Sequence, residues 1–286
     1  MGRKANPVLI GAFTLNATGN AATPGLLGLG AITLTGNATF NPTTANLSVA
    51  SVTGTYNLTL GGTSASNSIG AITTTAGTLT KNTASTWRLT GTNAHSGATA
   101  VSFGKLLGVT GGSCDNSDIT VSGGTFGVFV NDNTKQWSCK SLTHSGASTL
   151  NFHFGVVPSA SLPPLLVNNN VAFTVTPSVS VTASVTLPAG AYPLMRWTTK
   201  SGTVPTAVTL PSPLTGRLIE DVPNGIVWLV VIANKQPLTW KGHVNGVWDI
   251  GDTANWNDST GSPVAYNEVA VAGVTVGDSV VFDDSA

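Results

Sequence analysis

The stretch Leu47-Ser48-Val49-Ala50-Ser51-Val52, followed across Gly54 by Tyr56-Asn57-Leu58-Thr59-Leu60, places apolar residues at period two. Such alternation buries one face of a β-strand and leaves the other to solvent. The same pattern runs through Phe13-Thr14-Leu15-Asn16, Ile32-Thr33-Leu34-Thr35 and Thr86-Trp87-Arg88-Leu89-Thr90. Gly and Asn separate the runs, as turns require. No segment combines helical periodicity with a cap, so the chain reads as all-β. Gly11-Ala12-Phe13-Thr14-Leu15 returns as Gly30-Ala31-Ile32-Thr33-Leu34, nineteen residues later. Spacing near twenty residues points to a solenoid in which each strand stacks on its equivalent one coil away. The expected fold is a right-handed parallel β-helix.

The composition agrees. Of 286 residues only 8% are charged, against about 25% in an ordinary soluble domain, while Gly (33), Thr (42), Ser (26) and Asn (23) dominate. Inward Val, Ile and Leu ladders and outward Thr, Ser and Asn ladders would use this composition fully. Scarce, unclustered basic residues argue against a nucleic-acid partner. No run of about 18 apolar residues is present, so no membrane span is expected. Arg3 and Lys4 before Val8-Leu9-Ile10-Gly11-Ala12-Phe13 imitate a short signal peptide, but Thr14, Asn16 and Thr18 interrupt the apolar stretch. A first strand is the better reading.

Three regions are expected: coils over 1–155, a Pro/Val-rich β region over 156–239 and a Trp/Asp/Gly-rich β module over 240–286. The middle region reads either as wider coils or as a sandwich-like insert. Cys114 and Cys139 are separated by about one coil. An even cysteine count and an uncharged surface fit an extracellular disulfide stapling adjacent rungs. Two buried free thiols are the alternative, and no Cys-x-x-Cys spacing supports a metal site.

Gly77-Thr78-Leu79-Thr80-Lys81, then Trp87-Arg88-Leu89-Thr90-Gly91-Thr92-Asn93-Ala94-His95-Ser96-Gly97-Ala98-Thr99, then Gly104-Lys105-Leu106-Leu107 resemble one autotransporter-associated β-strand repeat, with His95 where the repeat usually has Tyr. The segment from Leu238 through Trp248-Asp249 and Trp256 to Val280-Val281-Phe282-Asp283-Asp284 is similar to a module preceding such repeats in long bacterial surface proteins. The resemblance implies a secreted, structural or adhesive protein on the bacterial cell surface and carries over no catalytic residue. It also implies that strands like Val8–Leu15 follow the Val-Phe-Asp-Asp ending, so the chain reads as one period of a longer array. No membrane-inserting barrel of the autotransporter type is evident, which sets self-transport aside.

Zero net charge hides an asymmetry. Residues 1–114 carry Arg3, Lys4, Lys81, Arg88 and Lys105 and no acid. Residues 242–286 carry Asp249, Asp252, Asp258, Glu268, Asp278, Asp283 and Asp284 and no Lys or Arg. In a solenoid sequence ends are spatial ends, and a head-to-tail contact that does not close makes a filament. The expected partner is therefore the protein itself. Arg3, Lys4, Val8, Leu9, Ile10, Phe13 and Leu15 would join Val280, Phe282, Asp283 and Asp284 across an assembly interface, with residues near 6–20 extending a ladder left open near 274–284.

Other readings compete. Trp240, Trp248 and Trp256, at eight-residue spacing, are candidates for stacking on surface glycans, or core of a small module. Asn16, Asn37, Asn46, Asn57 and Asn257 lie in Asn-x-Ser/Thr sequons, the candidate glycosylation sites. The C-terminal acids offer oxygen ligands for calcium but match no calcium-loop spacing, and turn formation explains them better. A polysaccharide-cleaving β-helix enzyme needs two flanking carboxylates, and the first 114 residues hold none. No cofactor, metal or catalytic residue is assigned. The expected role is a structural subunit polymerising outside the cell, with a monomeric glycan-binding stalk as the first alternative.

Overall fold

Three parallel ladders build the protein. The computed structural model describes residues 8–9, 11–20, 22–232 and 237–282. Among these there is no helix, and 18 strands belong to one hydrogen-bonded system. Parallel strands stack as a β-solenoid.

The first face runs through Phe13–Ala17, Ala38–Pro42, Leu58–Leu60 and residues 79–81, 99–101, 119–121, 141–144, 171–173 and 199–202. The second runs through residues 26–29, 46–49, 67–69, 87–89 and 105–109, then Thr125–Val130, Thr149–Phe154 and Ser178–Ala183. The third joins Val8–Leu9 to residues 33–34, continues through 51–53 and 71–73, and resumes through 113–114, 138–139, 165–167 and 195–197.

The alternation seen in the sequence explains the core. Successive coils bring equivalent inward residues into columns, such as Leu47, Asn67, Trp87, Leu106, Phe126, Leu150 and Val179 on the second face. Each large apolar side chain so buried contributes about 1.5–3 kcal/mol. A neighbouring column passes through Gly108, where a Cβ would lie 2.2 Å from the Trp137 indole. That glycine makes the room in which Trp137 is fully buried.

The nineteen-residue match that suggested a solenoid is not itself a rung. Phe13 and Leu15 belong to the first face and pair with Ala38 and Phe40, whereas Ile32 pairs with Val52 on the third. The period it suggested is nevertheless close, because hydrogen bonds made by side chains join residues 20 or 21 positions apart in the early coils. Farther on the separation grows to 29–31, as the Pro-containing loops around 155–164 and 184–189 lengthen the circuit. The region 156–239 is therefore at first wider coils. It then turns antiparallel, with Ile226–Ile232 pairing to Gly190–Gly202 on one edge and to Thr215–Asp221 on the other.

Beyond it stand two small sheets. Leu238–Trp240 lies between Trp256–Asn257 and Val280–Val281, and Glu268–Val271 forms a hairpin with Val274–Gly277. Val269, Val271 and Val276 of the hairpin pack against Ile219 and Val230, which seats this module on the antiparallel end of the solenoid.

Candidate assembly ends

At the amino-terminal end, Phe13–Ala17 is paired, among the described residues, along one edge, to Ala38–Pro42. Among the described residues, 26–29 likewise pair with 46–49 alone, and Val8–Leu9 with 33–34 alone. Phe13 and Leu15 are half-buried against the core, the Phe13 ring 6.5 Å from that of Phe40. Leu26 is 68% exposed. An open row of N–H and C=O groups beside uncovered leucines is a template for strand addition.

The other end differs from the open coil expected at 274–284. Val274–Gly277 and Val280–Val281 belong to the small sheets, not to a further rung. Val280–Val281 is an edge strand whose described partner is Leu238–Trp240, with Val280 half-buried. Phe282 is 57% exposed and Val281 is also exposed. Arg3, Lys4, Ile10, Asp283 and Asp284 lie outside the described residues.

The three tryptophans meet, but as a core. Trp256 is buried, with Trp240, Trp248, Tyr266 and Phe282 ringed around it at centroid distances of 4.9–5.8 Å, mostly edge to face. Trp248, 50% exposed, presents the most indole surface. Three aspartates of this module build its turns. Asp249 accepts from the N–H and hydroxyl of Thr253, Asp258 from those of Thr260 and from Ser262 N–H, and Asp278 from Asn267 N–H. Among the described residues no group of three His, Cys, Asp or Glu is placed to hold a metal.

Cys114 and Cys139 are register partners on adjacent rungs, as their spacing suggested, but the predicted disulfide is not formed and both are free and buried. In-register parallel strands hold Cβ atoms at about the strand spacing of 4.8 Å, whereas a disulfide draws them to about 3.8 Å. Burial pushes the Cys114 thiol up to about 11 and Cys139 well above its usual value, so both stay protonated and inert.

Four sequon asparagines join successive rungs. Asn16 accepts from Asn41, Asn37 from Asn57 N–H, Asn46 from the Ser64 hydroxyl and Asn57 from Thr78 N–H. Asn257, in the module, meets His243 at 2.6 Å.

Sequence reasoning missed the polar residues inside the columns. Lys81 stands between Leu60 and Val101 with no exposed surface, its ammonium donating to the carbonyls of Thr83 and Phe103. Desolvation lowers it to about 8. His144 stands between Val121 and Phe173, and His95 meets the Thr99 hydroxyl at 3.0 Å. Burial lowers both histidines to about 4. Period two marks these positions as inward, and that was the available signal.

A groove of roughly 600 Å³ runs between residues 166–168, 196–200 and 220–225. Its lining holds one carboxylate, Glu220, ion-paired to Lys200 at 2.8 Å. No described helix is long and apolar enough to cross a membrane. Comparisons with protein families, curated proteins and solved structures find no match to this chain.

Proposed function

We propose that the protein is a structural solenoid subunit working outside the cell, joined head to tail into a fibre. The observation carrying this reading is the pair of unsatisfied ends: open strand edges beside exposed leucines at one, and an edge strand running into exposed Phe282 at the other. Pairing them would satisfy backbone groups and remove apolar surface from water together. The basic amino-terminal and acidic carboxy-terminal sequence would steer polarity more than it adds affinity. The resemblance to autotransporter-associated repeats supports a secreted bacterial surface protein.

Negative-stain microscopy and sedimentation of the full chain test the reading. Filaments are expected from the intact protein, and folded monomers from a chain lacking residues 1–15 or carrying Val281→Lys. Undiminished filaments in both variants, or an intact chain that stays monomeric at every concentration, would overturn it.

A further inference from the structure

The outer side of the second face carries a covered apolar strip. Leu107 and Val109 alternate with inward Leu106 and lie outside the core cluster, yet Leu107 is only 3% exposed. Arg88, in register with Leu107 one rung earlier, explains this. Its guanidinium carbon lies 4.1 Å from the centroid of the Phe129 ring, which is in register with Val109 one rung later. The side chain thus crosses the intervening rung, with its stem over the apolar pair and its charge on the ring. Phe129 in turn stacks on His153 at 4.8 Å, and His153 is fixed by the hydroxyls of Thr182 and Ser184.

Lys105 stands on the rung that Arg88 crosses, paired with Thr86. Neither cation has an ion pair or a hydrogen-bond acceptor among the described residues. Their fields are felt locally: after burial, Arg88 lowers Lys105, and both lower His153. In a chain with 8% charge, two uncompensated cations on adjacent rungs, held beside an aromatic stack and rows of threonine, are a specific arrangement. A guanidinium over a ring face, with no acceptor engaging it, has N–H groups to offer a carboxylate or sulfate.

We propose that the Arg88–Lys105 strip binds the acidic groups of a polysaccharide laid along the second face. Charge complementarity selects an anion, and the outward hydroxyl rows suit a hydroxyl-rich chain. A second copy of this protein is the weaker occupant, because Asp249, Asp258 and Asp278 of its acidic module are engaged in their own turns. The proposal stands apart from end-to-end assembly, and the polymerisation-defective Val281→Lys chain serves as a second background.

The test measures binding of the full chain to polygalacturonate, dextran sulfate, neutral dextran and single-stranded DNA at low and high salt. Salt-sensitive binding to one or both acidic glycans is expected, and which of the two distinguishes carboxylate from sulfate. Arg88→Gln with Lys105→Gln should weaken it at least about tenfold, with circular dichroism unchanged, while Arg88→Lys with Lys105 intact, which keeps the charge but loses the planar fork, should fall between the parent chain and the double variant. If the double variant does not fold, Lys105→Gln alone carries the test with the same expected direction. The proposal is overturned by absent glycan binding, by equal affinity in the folded variant, or by equal affinity for neutral dextran. DNA bound as tightly through the same residues, or self-association lost without any glycan affinity, would also overturn it.

Discussion

Trp87 and Trp256 are both fully buried, yet they are held in different ways. Trp87 belongs to a column of the second face, between Asn67 and Leu106, with its indole N–H on Gly61 O at 3.1 Å. Backbone ladders on either side fix it. Trp256 sits on a strand of two residues and is held by other rings. Around it the module uses Asx-type turns and one polar hub, Asn255, which accepts from Val244 and Asn245 N–H and donates to Val247 O. Stability in the solenoid is therefore shared along repeated rungs. In the module it rests on a few side chains that have no neighbouring copy. The two regions should respond differently to acid, to truncation of a ring and to alkali.

Acid gives the largest expected difference. The histidines buried in the solenoid, His95 and His144, are lowered from 6.5 to about 4. Across that window the unfolded chain binds more protons than the folded one, so stability falls as pH drops from 6.5 towards 4, by up to about 3 kcal/mol per histidine. In the module, Asp249 is held below the usual carboxylate range by the Thr253 hydroxyl and N–H. Its contribution is present above pH 3.8 and is lost only as pH falls below that. Hydrogen exchange followed from pH 7 to 3 should therefore show the solenoid loosening first. His95→Gln with His144→Gln should flatten the upper limb, and a solenoid equally stable at pH 6.5 and 4 would show that these rings are not buried neutral.

Ring truncation comes next. Trp87→Ala removes a filled column position and should cost about 3–5 kcal/mol, read as a lower urea midpoint for the whole solenoid. Trp256→Ala should strip exchange protection from residues 238–282 while leaving 99–173 protected. If both variants unfold everything together, the module and the solenoid are one cooperative unit, and the contrast drawn from their packing fails.

Alkali moves stability the other way, by a smaller amount. Lys81 is lowered to about 8 from 10.5. Between those values the unfolded chain holds the extra proton, so stability rises with pH, by about 1–3 kcal/mol. Lys81→Met should abolish the rise; the same slope in the variant would assign it to another group.

What the sequence revealed follows the same division. Where a feature repeats, the sequence carried it: alternation gave the inward residues, the spacing gave a coil near twenty residues, and Cys114 and Cys139 fell on adjacent rungs. Where a feature occurs once, it was hidden. Gly11–Leu15 and Gly30–Leu34 look alike because the faces share one binary pattern, so likeness alone cannot say which face a strand joins. The antiparallel turn at Gly190–Gly202 depends on a single pairing with Ile226–Ile232. Arg88 over Phe129 joins residues 41 positions apart across an intervening rung, a contact that no local pattern encodes.

The smallest effect separates two readings of one residue. Asn57 is exposed, lies in a sequon and accepts from Thr78 N–H at 2.9 Å, while its own N–H donates to Asn37. Asn57→Ala removes the acceptor and should cost about 0.5–1.5 kcal/mol. Asn57→Asp keeps a side-chain oxygen at the same reach and deletes the sequon. If rung-to-rung bonding is what this position contributes, thermal unfolding of protein made in a glycosylating host should place the Asp variant close to the parent, with Ala below both. If a glycan on the Asn57 amide supplied the stability, Asp and Ala would fall together. The asparagine would then act as an attachment point rather than as a rung of the ladder.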